Sequence, residues 1–478
     1  MIDSPEKPKT GFLLLIKRLW PNFLIYNSYA FTVATIYINI LLVARIMWPI
    51  PNAFAEHSGE LGILTGTSTY LIAISGILFG TLADKYSRIK LMVLVELIYG
   101  IGLLFNGFVP EHQGLITFYY FLIFSLVRGF ANGGLWPLIT SHVNDSTEDQ
   151  ERSQFFGAIQ GLFQVFQIIG MLVSAISFQT NLWRYYFIFV GIIALILGFV
   201  IMIKGKEPKR GAMRKELKEV LSNENVIYEY KLTKETIQST IFSPTNLIAF
   251  FEGVFTTILI AVPDFLLVAY LQSPPFNISP FNLSLFLIIF GLPGGFIGSL
   301  GFAKISDKLG KKNIKYRVFM IVLSAFIVFT GFIFFFILPI PNMTVEQGNN
   351  FLFILSIPTF WILGVIMFIG RSFVGLWNIN QPPILQEINL PEAQGKISSA
   401  NQFLEAIGSG TGPILAGFVL MAFNQNFQIT VFLTLVLGII GALLWLLATK
   451  WINSDVNRVS DILKQREGEL KRNTEIKK

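Results

Sequence analysis

The sequence holds no cysteine and only three histidines, His57, His112 and His142, in 478 residues. Disulfides and thiolate-ligated zinc or iron–sulfur sites are thereby excluded, and the scattered histidines form no H-E-x-x-H pair. No metal and no cofactor is expected. The G-x-x-x-x-G-K-[ST] loop that cradles nucleotide phosphates is missing too, which leaves ATP hydrolysis without its binding element. Charge is scarce, at 14% Asp, Glu, Lys and Arg against about 25% in soluble domains. What is there instead is apolar bulk: 53% hydrophobic residues, 47 of them Phe. That excess is wrong for the roughly three soluble domains this length would otherwise make, and it requires lipid.

Crossing about 30 Å of hydrocarbon as a helix takes about 20 apolar residues. Runs of this kind, ended by charge or proline, occur twelve times: 22–47, 61–82, 91–109, 116–141, 153–178, 182–203, 243–272, 281–303, 316–340, 356–383, 396–423 and 427–450. The opening residues are polar and mixed in charge, and the Phe12–Ile16 run is short and ends in Lys17-Arg18, so no cleavable signal peptide is expected. The formal charge of +7, from 36 basic and 29 acidic residues, falls in short blocks between the runs. Such placement reads as membrane topology rather than affinity for nucleic acid. Alternate connections hold Lys85, Arg88 and Lys90, then Lys204, Lys206, Lys209 and Arg210, then Lys304, Lys308, Lys311, Lys312, Lys315 and Arg317, whereas the opposite ends hold only Arg45 and Arg184. The positive-inside rule therefore predicts both termini in the cytoplasm of a multi-pass cell-membrane protein.

The longest connection, about Lys204 to Ser243, is charged throughout and divides the spans six and six. The expected organisation is an N-terminal segment at 1–21, a bundle at 22–203, a linker at 204–242, a second bundle at 243–451 and a charged, helical tail at 452–478. Within the linker, Arg214–Leu221 reads as a short surface helix with i, i+3 and i+4 charge pairs.

Two pairs of motifs repeat between the halves. Gly80-Thr81-Leu82-Ala83-Asp84-Lys85-Tyr86-Ser87-Arg88 follows the second run, and Ala303-Lys304-Ile305-Ser306-Asp307-Lys308-Leu309-Gly310-Lys311 follows the eighth, in gapless register. Arg128-Gly129-Phe130-Ala131-Asn132-Gly133 and Arg371-Ser372-Phe373-Val374-Gly375 each put an Arg inside an apolar run, the fourth and the tenth. Paired motifs at matching places indicate internal duplication. The first pair resembles the G-x-L-x-D-x-x-G-R-K loop of the major facilitator superfamily, and the second resembles that family's R-x-x-x-G pattern. Ser87 stands where the family has Gly, and Ala303 replaces the leading Gly of the second copy. The resemblance implies an all-α polytopic fold with twelve transmembrane helices in two pseudo-symmetric six-helix bundles, and a non-enzymatic secondary transporter, expected as a monomer, working by alternating access. It also implies that Gly80, Asp84, Arg88, Asp307 and Lys311 form a gate that holds the cytoplasmic side shut. Glu207-Pro208-Lys209-Arg210-Gly211 resembles the Spinster-type lipid transporters, although their helix 4 carries a Glu where this chain continues Gly133-Gly134-Leu135-Trp136.

A charge within the bilayer is expensive unless paired or facing water, so each is a candidate site. Arg128, Glu252, Arg371 and Glu405 qualify, and the resemblance makes all four available to a central cavity. Gln160, Gln164 and Gln167 share one face of the fifth helix, where they either bind a polar substrate group or bond a neighbouring helix. Asp264, after Pro263, reads as exposed to a water-filled vestibule, and Glu96 as structural. The glycines crowding the eighth and eleventh helices read as close packing, or more boldly as sliding surfaces. The expected activity is transport of a small organic or amphiphilic, lysolipid-like solute, coupled to protons or another ion at Glu252 and Glu405. The rival from another class is a non-transporting receptor, sensor or assembly protein embedded among lipids.

Overall fold

A computed structural model describes residues 12–83, 85–147, 149–208 and 241–476. Asp84 and the Arg214–Leu221 segment lie outside the described residues. Among the described residues, eleven helices are long and apolar enough to cross a membrane, and a twelfth span is completed by a pair bent by 67°. We number these spans α1 (Phe12–Val33, continued by Thr35–Ile38 and Ile40–Met47), α2 (Ser58–Ala83), α3 (Arg88–Asn106), α4 (Leu115–Ser146), α5 (Asp149–Gln179), α6 (Trp183–Lys204), α7 (Pro244–Gln272), α8 (Pro280–Lys312), α9 (Lys315–Ile337), α10 (Pro358–Glu387), α11 (Pro391–Ala422) and α12 (Phe427–Ala448). A thirteenth helix, α13 (Ile452–Ile476), forms the charged tail.

Local chemistry sets the boundaries. Ser243-Pro244 and Ser279-Pro280 open α7 and α8 in the same way: the serine hydroxyl accepts from the third N–H onward, and the proline occupies the first turn, where no N–H is needed. Asp455 of α13 gives α7 a second cap, its Oδ2 accepting from the Thr245 N–H at 3.2 Å. The α1 span, which the sequence presents as one run, breaks at Asn39. There the side-chain Nδ2 donates to the Thr35 carbonyl at 2.9 Å and competes with the helical ladder. The two copies of the repeated loop also differ. In the first, the chain turns through Lys85–Ser87 and Ser87 caps α3. The second copy is helix, Ala303–Lys312, so the expected loop between α8 and α9 shrinks to Asn313-Ile314.

The same neighbours recur in each half. In the first, α1 packs on α5, α2 on α4, and α3 on both α4 and α6; in the second, α7 packs on α11, α8 on α10, and α9 on both α10 and α12. With no hydrophobic drive between helices in lipid, close backbone approach must supply the contact. Gly133 of α4 provides it against α2, where an added Cβ would lie 1.9 Å from Ser75 Oγ, and Gly298 of α8 provides it against α10, where a Cβ would lie 2.1 Å from the Ser372 carbonyl. The glycine of the fourth-span motif is thus Gly133, with Asn132 at the position that Gly375 fills in the tenth. Gly80, by contrast, has ordinary room for a side chain, its nearest neighbour being Pro137 Cβ at 3.8 Å.

Contacts between the halves gather at the end away from the linker. Gly59, Gly62 and Gly66 of α2 face Gly410, Pro413 and Gly417 of α11 so closely that Cβ atoms on Gly62, Gly66 and Gly417 would fall 2.4, 2.1 and 2.1 Å from carbonyl oxygens across the seam. Ser58 Oγ donates to the Gly417 carbonyl at 2.8 Å, and Tyr70 bonds Thr411 at 2.8 Å. The first turns of α8 meet α5, and Gln272 Nε2 donates to the Ile38 carbonyl at 2.7 Å.

Candidate functional site

Between the halves lie two cavities that share Val33, Tyr37, Asp264, Val374 and Asn378 in their walls. The first, of about 580 Å³, is enclosed by α1, α2, α4, α7, α10 and α11, and Arg128 lies in its wall. The second, of about 970 Å³, runs between α5 and α8, and Arg371 lies in its wall. Gln160, Gln164 and Gln167 all line this second cavity, so the polar stripe of α5 faces open space and not lipid. Gly157 and Gly161 beside them, and Gly295 opposite on α8, have nothing within 4 Å of an added Cβ. The wall of α8 carries two π-turns, Leu287–Gly291 and Ile297–Gly301, irregularities that cluster at functional sites.

Asp264 is not simply washed by water at an outer vestibule. It stands where the cavities join and pairs with Arg371, each side chain about a quarter to a third exposed, at 30% and 26%. Arg371 Nη1 also reaches Asp264 Oδ2 at 3.4 Å. The fork geometry of a guanidinium on a carboxylate neutralises both charges at the junction.

Glu252 and Glu405 line neither cavity. Glu252 is fully buried, and both carboxyl groups receive hydrogen bonds from one amide: Gln381 Nε2 donates to Glu252 Oε1 at 3.2 Å and to Glu405 Oε1 at 2.8 Å. Helical i, i+4 spacing completes the cluster, with Thr256 donating to Glu252 Oε2 at 2.7 Å and Asn401 Nδ2 donating to Glu405 Oε1 at 2.6 Å. Thr257 links cluster to cavity: it lines the first cavity and donates to the Glu405 carbonyl at 3.0 Å. Sequence reasoning missed Gln381 and Asn401. The available signal was a Gln directly before Pro382-Pro383 within an apolar helix, where two ladder hydrogen bonds are lost.

At the linker end, Arg88 bonds Glu207, Pro208 and Ser141, all on the first-half side of the chain. It is 1% exposed, and its Nε donates to Glu207 Oε1 at 2.6 Å while Nη2 donates to the Pro208 carbonyl at 2.9 Å. Glu207 Oε2 accepts from Ser87 Oγ at 2.7 Å and from the Ile89 N–H at 2.9 Å, at the positive end of α3. Partial burial pushes the Glu207 carboxyl up, but these donors outweigh it and hold it below the usual carboxylate range. In the second copy the partner of Asp307 is Arg317, its Nη2 donating to Asp307 Oδ1 at 3.0 Å, and Lys311 is solvent-exposed. Arg317 entered the sequence reading only as a topology charge.

These features define a class first: a polytopic helical membrane protein whose two related bundles enclose a largely apolar cavity with a few charged and polar side chains in its walls. The family model described as Major Facilitator Superfamily matches residues 23–413, and the chain belongs to that family. Over 181 residues it is 25% identical to "Multidrug resistance protein 3" of Bacillus subtilis (strain 168), covering 36% of this chain and 34% of that protein. Over 193 residues it is 25% identical to the "Proline/betaine transporter" of Escherichia coli (strain K12), covering 38% of this chain and 35% of the relative. The chain thus spans about a third of the length of these curated relatives. Among solved structures, a bacterial homologue of the human lysosomal transporter Spinster, inward-facing and unoccupied, has a TM-score of 0.64 at 16% identity, covering 92% of this chain and 98% of that one. At that identity the likeness speaks for the fold.

Proposed function

We propose that the chain is a secondary transporter, and not an enzyme, which carries a small organic or amphiphilic solute by alternating access. The observation that carries this reading is a cavity, midway along the spans and between the halves, with a seam of glycine contacts sealing one end. With the linker end and both termini in the cytoplasm, as the positive-inside rule predicts, a seam closed at the opposite end is the arrangement of an inward-facing state. A seam made largely of glycine backbone contacts and a few hydrogen bonds can part as two rigid bundles rock, which would open the cavity on the other side. In that state Asp84, Arg88, Asp307 and Lys311 would close the cytoplasmic end, with Arg88 exchanging its bond to Glu207 for one across the halves.

Protons are the coupling ion in this reading, and Glu405 is their carrier. Two carboxyl groups sharing one amide donor in a site walled from water tolerate one negative charge between them better than two. Glu405 is the less buried of the pair, and Thr257 ties its backbone to the cavity wall, so opening of the cavity to one side or the other as the bundles rock changes the proton's surroundings. Glu252 is the second member of the pair. The test is Glu405→Gln in proteoliposomes with a solute found by screening metabolite and lipid extracts. Accumulation driven by an imposed pH gradient is abolished, whereas exchange between loaded vesicles persists, because exchange needs only movement of the occupied carrier. Gradient-driven accumulation equal to that of the parent would show that Glu405 is not the coupling residue.

A further inference from the structure

We infer that the first cavity binds an organic anion, with Arg128 as its anchor. The inference rests on the transport reading for its purpose, and names the substrate class of that same site. Among the described residues, three charged side chains line the two cavities: Arg128, Asp264 and Arg371. Asp264 and Arg371 cancel one another. Among the described residues no carboxylate lies within ion-pair distance of Arg128; its Nη2 donates to Ser125 Oγ at 2.9 Å, and its buried Nε has no acceptor. A guanidinium keeps its charge in any protein setting, so the joined cavities carry one uncompensated positive charge.

A purely structural arginine in lipid brings its own counter-ion or a fan of carbonyls. This one instead packs its stem on Gly102 of α3, where a Cβ would lie 2.8 Å from Arg128 Cγ, and stands in a cavity wall that also holds hydroxyl groups of Tyr29, Thr32 and Tyr99. Glu96, the buried carboxyl nearest in sequence on α3, makes no ion pair with it. An anionic group arriving from the cavity would supply the missing acceptor. Ile36, Leu64, Ile72 and Ile260 give the organic part an apolar bed, and about 580 Å³ is within the range of small-molecule pockets. A cation would meet like charge and no free carboxylate.

The experiment uses the full chain purified in a neutral detergent, with benzoate and phenyl phosphate as anionic ligands, benzyl alcohol as the neutral isostere and benzyltrimethylammonium as the cationic one. Binding is read by calorimetric titration and by the rise in melting temperature that ligand linkage produces. Both anions bind and stabilise the parent, and the alcohol and the cation do not. Arg128→Gln weakens the anions at least tenfold without lowering the ligand-free melting temperature, because an unpaired buried charge has been removed; Arg128→Lys keeps part of the binding. The proposal is overturned by failure of both anions to bind the parent, by undiminished anion binding in Arg128→Gln, by a cation that binds as well as benzoate, or by a ligand-free Arg128→Gln that melts earlier or does not fold. Binding is measured without turnover, so a chain that binds anions but moves nothing refutes the transport reading alone, and one that transports but prefers cations refutes this inference alone.

Discussion

Leucine at Gly66 should unseal the closed end of the cavity. The Cβ alone would lie 2.1 Å from the Gly410 carbonyl and 2.8 Å from the Ile414 side chain, against ordinary contact at 3.4 Å or more. The obstacle in front is backbone, and a carbonyl of a packed helix cannot swing aside as a lysine tip would, so α2 and α11 must separate by more than an ångström. Overpacking of this kind costs about 1–3 kcal/mol. The cost falls only on the state in which the seam is closed, so the balance between closed and parted seam shifts by about 5- to 150-fold. The assay exploits a chain without cysteine: Asn378→Cys, on the wall shared by both cavities, reports access of an impermeant maleimide added from the side opposite the linker. In the parent that side is shielded, and with Gly66→Leu it labels. Gly157→Leu adds the same bulk where a Cβ meets nothing within 4 Å, and leaves labelling from that side unchanged. Equal shielding in Gly66→Leu and parent, at equal expression, would refute the seam as the closing element.

Topology is checked in intact cells, where a cysteine at Ser273, which follows α7, reacts with an impermeant thiol reagent and one at Ser222 in the linker does not; the reverse pattern would invert the assigned orientation. Glu207→Gln removes a charged partner that accepts from Arg88 Nε, Ser87 and the Ile89 N–H, and lowers stability by about 2 kcal/mol, read as an earlier melt at pH 7. Since the folded carboxyl is held below its ordinary value, near 4.3, its contribution is complete above that value and fades as pH falls through the lowered one. The parent's melting temperature should therefore converge on that of Glu207→Gln only in acid, and a gap that persists there would assign the difference to packing.

Much of the fold was legible because lipid imposes it. A backbone that must satisfy its own polar groups has to be helix for about 20 residues at a time, and eleven of twelve expected runs emerge as helices overlapping their sequence limits. The twelfth shows what hydropathy cannot register. Asn39 is one polar residue in an apolar run, and its amide bonds both the Thr35 carbonyl of its own turn and Ser174 of the neighbouring α5 where the span bends. The second loop motif misled in the opposite sense. Its Lys and Asp residues read as a connection by charge, yet Ala303–Lys312 lacks proline and forms the last turns of α8, continuing as helix past the apolar limit.

At the site, residue type was legible and depth was not. Rarity alone pointed to Arg128, Glu252, Asp264, Arg371 and Glu405, since any ionisable group in a long apolar run is conspicuous. Helical spacing says which side chains share a face but not what the face meets, and a rotation of α7 by one residue would separate Glu252 from Gln381. The glutamines of α5 line the second cavity, Gln160 also donating to the Tyr26 hydroxyl of α1 at 3.3 Å, whereas Gln381, equally neutral, is consumed in joining two carboxyl groups. The charge balance follows from these partnerships and from nothing in the composition. Asp264 holds Arg371, the two glutamates hold Gln381, and Arg128 is left facing the cavity without a counter-ion, a condition that a ligand, and no side chain among the described residues, is positioned to relieve.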